Sequence, residues 1–207
     1  MPEALARKRL TREESRAQTR ERLLDAAFTV FIRDGIEAAP IEEISEAAGY
    51  SRGAFYSNFE SKEDLLFALL ERKMLEAEKH IEAILSDGLP IDQLIHRIRD
   101  YYVALAADSQ HFTFFLAVQL YSLRHPEVRP RVAEWFRRDR ELVVEQTRKV
   151  YAAIGKEPPY PPEIVALGLI SISQGLCLTQ TLDPSMMSPD LLAQALETLF
   201  GRIAGLE

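Results

Sequence analysis

Ser51-Arg52-Gly53-Ala54-Phe55-Tyr56-Ser57-Asn58, with Lys62 four residues further on, gathers the side chains of this chain best equipped to hold a polyanion. The forked guanidinium of Arg52 matches the paired acceptors O6 and N7 of guanine, so it can read a base in the major groove of DNA. It can equally touch only phosphate or solvent, since about half or more of protein–DNA hydrogen bonds go to the backbone. Tyr56 offers a hydroxyl, Asn58 an amide and Lys62 an ammonium, all suited to phosphate oxygens, while Ser57 is a lesser candidate for the groove itself. Gly53 lets a helix come close to a groove, or pack closely on another helix. Lys8 and Arg9 begin a basic N-terminal stretch, read either as a mobile arm along a DNA backbone or as a solvated tail.

Catalytic chemistry finds little footing. The four histidines, His80, His96, His111 and His125, stand 14–16 residues apart, so none pairs at metal-ligand spacing on a helix. No P-loop, Gly-x-Ser-x-Gly elbow or glycine-rich dinucleotide loop is present. No cofactor and no metal are expected, and an enzyme is not. Cys177 is the single cysteine and cannot form an intrachain disulfide. No apolar run approaches the ~20 residues of a membrane span and no signal-peptide core follows the charged start. The expectation is a cytoplasmic protein with no membrane partner.

The formal net charge of −7 argues against a bulk nucleic-acid protein. The first 22 residues nevertheless carry seven basic groups against four acidic, whereas residues 1–62 carry ten against eleven. DNA binding therefore requires a placed patch.

The elements that must place it are helices throughout, with no strand-type alternation bounded by hairpin turns. Thr11-x-x-Glu14 is a possible capping box for a first helix whose Leu23, Leu24, Ala27, Phe28, Phe31 and Ile32 form one apolar stripe, stopped by Gly35. A short second helix starts with Pro40 at its first position, turns Ile41, Ile44 and Ala48 inward and ends at Gly49. Ser51 caps a third helix through about Asn58. Ser61-x-x-Asp64 opens a long fourth helix. Further helices are predicted at about 91–107, 109–123, from Pro126 to Gly155, 163–181 and 189–204, with a rigid Glu157-Pro-Pro-Tyr-Pro-Pro162 linker. The fold class is all-α: nine helices in two domains. Residues 1–60 form a three-helix helix-turn-helix domain (1–10 a flexible basic arm), and residues 61–207 form a ligand-binding and dimerisation helical bundle.

Ile41-x-x-Ile44-x-x-x-Ala48-Gly49-Tyr50-Ser51-x-Gly53-x-Phe55-Tyr56-x-x-Phe59 is the spacing of a helix-turn-helix, whose second helix enters the major groove. The run Gly35 to Leu65 closely resembles the DNA-binding signature of the tetracycline-repressor (TetR) family, and Arg22 to Phe31 resembles that family's first helix. The likeness covers roughly residues 16–66. It implies that Arg52, Gly53, Tyr56, Ser57, Asn58 and Lys62, with Ser51 and Pro40 at the helix starts, form a DNA-binding face. Two departures stand out. Ala39 and Pro40 lack the hydroxyls the family usually places there, removing a phosphate contact, and Asn58 replaces the usual histidine. With the acidic balance, these departures motivate an alternative: a helical interaction module that has lost DNA binding.

The resemblance further implies an effector pocket and a dimer. Tyr101, Tyr102, His111, Phe112, Phe115, Gln119, Trp135, Gln174 and Cys177 are candidate pocket residues for a small apolar or amphipathic effector. For any single aromatic, plain core is the simpler reading, and Cys177 reads as a small core hydrophobe. Leu167, Ser171, Gly175 and Leu178, with Leu192, Leu196, Leu199 and Ile203, can build a four-helix interface between two chains or close the chain's own core. A homodimer would carry two recognition helices ~34–36 Å apart and read a palindromic operator in double-stranded DNA, most simply as a repressor released by the effector.

Overall fold

The computed structural model describes residues 11–205. Among these it contains nine helices and no strand: α1 (Arg12–Asp34), α2 (Ile41–Ala47), α3 (Arg52–Tyr56), α4 (Lys62–Ser86), α5 (Ile91–Ala107), α6 (Ser109–Arg124), α7 (Arg129–Ile154), α8 (Pro162–Leu182) and α9 (Pro189–Ala204). Lys8, Arg9 and the expected basic arm lie outside the described residues.

Local chemistry sets the boundaries. Thr11 and Glu14 form the reciprocal capping box, with the Glu14 amide 3.1 Å from Thr11 Oγ1. Ser51 and Ser61 cap through hydroxyls that accept from the amides of Ala54 and Asp64. Gly49 leaves α2 at φ 79°, the left-handed region that glycine reaches without a Cβ penalty.

Three expectations are corrected. Pro40 is the N-cap of α2, not its first helical residue. It sits at φ −78°, ψ 143° and contributes no side-chain cap. α3 ends at Tyr56 rather than Asn58, because Asn58 N already bonds the Phe55 carbonyl in a turn. The seventh helix begins at Arg129, after a turn at 126–128. A fourth finding concerns hydropathy. By length and composition α8 is apolar enough to cross a membrane, at mean hydropathy 1.5 with 22% of that window buried. Isolated Ser171, Ser173 and Gln174 interrupt the apolar run in the sequence without lowering its mean much.

The chain divides within α4 into two compact units, Met1–Leu69 and Leu70–Glu207. In the first, α1 packs on α2 and α2 on α3, and Leu23, Phe31, Ile44, Phe55, Leu65 and Leu66 are fully enclosed. In the second, one core joins Ile81, Ile84, Leu94, Ile98, Val150, Tyr151 and Ile154. Another joins Val165, Leu169, Cys177, Leu192, Leu196, Phe200 and Ala204. Tyr102 packs against both.

Candidate nucleic-acid interface and bundle cavity

The helix-turn-helix is held from inside by aromatic packing. Phe55 is fully buried and its ring lies 5.7 Å from that of Phe59. On the opposite side of α3, Tyr56 is 47% exposed and the Arg52 side chain 61% exposed. A Cβ added at Gly53 would meet only Ser51 Oγ, at 3.7 Å. Helix-on-helix packing therefore does not explain Gly53, which keeps an outer face low.

The C-terminal end of α3 is tied down by two arginines of α1, four residues apart on one helix face. Arg16 donates to the Ser57 carbonyl at 3.2 Å and Arg20 to the Asn58 carbonyl at 3.1 Å. The Arg20 guanidinium also stacks 4.3 Å over Phe59. These two groups position the recognition helix by holding the carbonyls at and just beyond its C-cap.

Each predicted contact residue has a definite setting. Arg52 pairs with Glu42 at 2.6 Å and reaches the Tyr56 hydroxyl at 3.4 Å; that hydroxyl and Glu42 raise its pKa. Ser57 Oγ donates to the Gly53 carbonyl. Asn58 Nδ2 donates to the Ala54 carbonyl at 2.8 Å, so one amide proton is spent within the turn. Lys62 Nζ donates to the carbonyls of Glu37 and Ala39, at 2.9 and 3.1 Å. Partial burial lowers its pKa. Lys62 thus fastens the loop leading into α2, beyond any role toward phosphate. Pro40 offers no oxygen at the start of α2, where the adjoining first turn carries Glu42 and Glu43. Sequence reasoning missed Glu42 because its partner stands ten residues away across a turn.

The second unit holds a cavity of about 250 Å³. Six of the nine predicted pocket residues line it: Tyr102, His111, Phe112, Phe115, Gln174 and Cys177. Tyr101, Gln119 and Trp135 are not in the lining. Tyr101 stacks on His80, 4.3 Å between ring centres, and the buried Trp135 stacks behind Phe115 at 5.3 Å. Phe136, Asp139 and Arg140 also line the cavity. Asp139 sits in the run Arg137-Arg138-Asp139-Arg140, which reads as a solvated face. Its position three residues after Phe136 and four before Val143 is the signal that it turns inward. Tyr102 donates its hydroxyl proton to Gln146 Oε1 at 2.8 Å. The Cys177 thiol donates to the Ala106 carbonyl, and burial pushes its pKa up to about 11. Among the described residues no three His, Cys, Asp or Glu side chains converge as a metal site.

Of the predicted interface residues, Leu167, Ser171, Gly175, Leu178 and Leu199 are exposed. With Ile164 and Leu182 the α8 members form one exposed helical stripe among the described residues. Leu192 and Leu196 are corrected: they are 1% and 0% exposed, enclosed in the chain's own core. Ile203 is half-buried, and its side chain lies over Gly168. α9 is apolar on two adjoining faces, and sequence periodicity did not separate them.

The family model "Bacterial regulatory proteins, tetR family" matches residues 23–69, and "Tetracyclin repressor-like, C-terminal domain" matches residues 89–205. The chain is 43% identical over 61 residues to the uncharacterized regulator YwcC of Bacillus subtilis, covering 30% of this chain and 27% of YwcC. It is 23% identical over 176 residues to HdnoR, a nicotine-responsive transcriptional repressor of Paenarthrobacter nicotinovorans, covering 83% and 88%. The matches span between 25% and 40% of the length of the first four curated relatives. The solved structure of SmeT, the repressor of a Stenotrophomonas maltophilia multidrug efflux pump, superposes with a TM-score of 0.63 at 22% identity, over 91% of each chain.

Proposed function

Since the chain belongs to the TetR family of bacterial regulatory proteins, we propose that it is a DNA-binding transcriptional repressor, freed from a palindromic operator by a small apolar or amphipathic effector. The observation that carries this reading is the Ser51-capped α3, anchored by Phe55, with Arg52, Gly53 and Tyr56 on its exposed side. Residues 1–60 are the DNA-binding domain and residues 61–207 the ligand-binding and dimerisation bundle of a cytoplasmic homodimer. Arg52 is the base reader, Ser57 lies toward the groove, and Tyr56, Asn58 and Lys62 serve the backbone. Sensing lies with the cavity of the second unit, in keeping with the response of the relative HdnoR to nicotine. Because α4 contributes to both units, a ligand that favours one position of α4 can change the placement of α3. Only a difference in affinity between the two states can do this.

The test is fluorescence anisotropy with duplex DNA from upstream of the protein's own gene, titrated at several salt concentrations. Saturable binding that weakens with salt is expected, and Arg52→Ala should cost about 1–3 kcal/mol and relax specificity at one position. A chain without saturable binding is instead an interaction module that has kept the fold.

A further inference from the structure

We propose that the bundle cavity takes an organic cation, an apolar or aromatic body carrying an ammonium group, with Asp139 as its counter-charge. The proposal rests on the effector-sensing reading above and adds the sign of the effector's charge. Asp139 lines the cavity from α7 and has no hydrogen bond or ion pair among the described residues. Asp139 is half-buried, and a carboxylate drawn partly out of water without a partner is disfavoured. Its pKa is pushed up to about 6 by burial, with no neighbouring cation pulling it back, so at neutral pH it is largely ionised and unpaired.

The surrounding groups leave that charge standing alone. From α6, His111 is held down to about 4 by burial and is neutral. From α8, the Cys177 thiol is protonated. From α5, burial raises both Tyr101 and Tyr102, keeping them neutral, and Asp139 itself adds to the rise. On α4, Lys73 and Glu76 pair with each other at 3.4 Å. Arg140, next along α7, also lines the cavity, but its side chain is exposed to solvent. The walls facing Asp139's cavity include Phe112, Phe115 and Phe136, whose ring faces attract a cation that has shed its water. A cavity of about 250 Å³ exceeds the ~150 Å³ that admits benzene, so an aromatic ring with a small ammonium group is of suitable size.

Three probes of similar size separate charge from shape: benzyltrimethylammonium, its uncharged carbon isostere neopentylbenzene, and 3-phenylpropanoate. Calorimetry and the fluorescence of Trp135, the chain's single tryptophan, stacked on Phe115, report binding to the full-length protein. The ammonium probe is expected to bind at pH 7.5 roughly ten-fold more tightly than either of the others. That preference should vanish in Asp139→Asn, persist in Asp139→Glu, and fade in the wild-type protein as pH drops through about 6. Equal affinity for all three probes, tighter binding of the anion, or a preference that survives Asp139→Asn overturns the proposal and leaves a differently charged effector in place. Failure of every probe to bind overturns both the proposal and the effector reading of this cavity. Should Asp139→Asn not fold, the wild-type pH series decides.

Discussion

Gly53 and Arg52 illustrate how far one side chain can be read. The type and position of both residues are legible in the sequence, because the spacing from Gly49 to Phe59 leaves α3 only one way to pack its aromatics. Their surroundings are not legible. Arg52 is ion-paired with Glu42, and DNA must displace a contact of the kind worth ~0.2–1 kcal/mol at an exposed site. Asn58 and Ser57 have likewise turned donors back onto α3. Gly53 gives the sharpest test, because nothing nearby would meet a methyl group. Gly53→Ala should hold or raise thermal stability by up to about 1 kcal/mol through helix propensity. If the groove approaches this face, the same change should weaken operator binding roughly ten-fold, a loss of about 1.4 kcal/mol. Thermal denaturation alongside anisotropy checks the pair. Lower stability with unchanged affinity would return Gly53 to a packing role.

At the scale of elements, caps and breakers made the helices readable. Thr11, Gly49, Ser51, Gly155 and Pro189 each mark a boundary within a residue or two of where it falls. Apolar periodicity worked less well where a helix is apolar on more than one side. In α9 the spacing Leu192, Leu196, Phe200, Ala204 faces the core while Leu191 and Leu199 face out, only a hundred degrees or so around the same helix. The exposed stripe of α8 (Ile164, Leu167, Ser171, Gly175, Leu178, Leu182) is contiguous apolar surface of the kind that marks an interface. A second copy of the chain meeting this stripe and Leu199 is the arrangement expected of a dimeric regulator. Leu178→Arg combined with Leu199→Arg should then sediment as a monomer with helical content retained by circular dichroism. Operator affinity should fall as well, since a single recognition helix reads only half a palindrome. A double variant that still sediments as a dimer would move the interface elsewhere.

Over the whole molecule, net charge was a poor guide. The formal −7 hides both the arginines of α1 that grip α3 and a carboxylate carried into an aromatic cavity. That carboxylate makes global stability depend on pH in a direction opposite to a salt-bridged aspartate. Asp139 holds its proton more tightly folded than unfolded, its pKa rising from 3.8 to about 6. Its contribution therefore favours the fold fully below pH 4. The contribution is lost progressively as pH rises through about 6, and above that the partly buried charge is a standing penalty, eased by the water that reaches it. The displacement corresponds to at most on the order of 3 kcal/mol. Asp139→Asn, of nearly the same shape but without the charge, removes the titration. The variant should match the wild-type chain near pH 4, gain on it between pH 4 and 6.5, and hold a constant advantage at pH 7.5. Denaturant unfolding of both proteins across that range measures the difference directly. A gap that stays flat with pH, or that opens on the acid side, would mean that Asp139 finds a partner or water in the ligand-free protein and is not the isolated charge its setting describes.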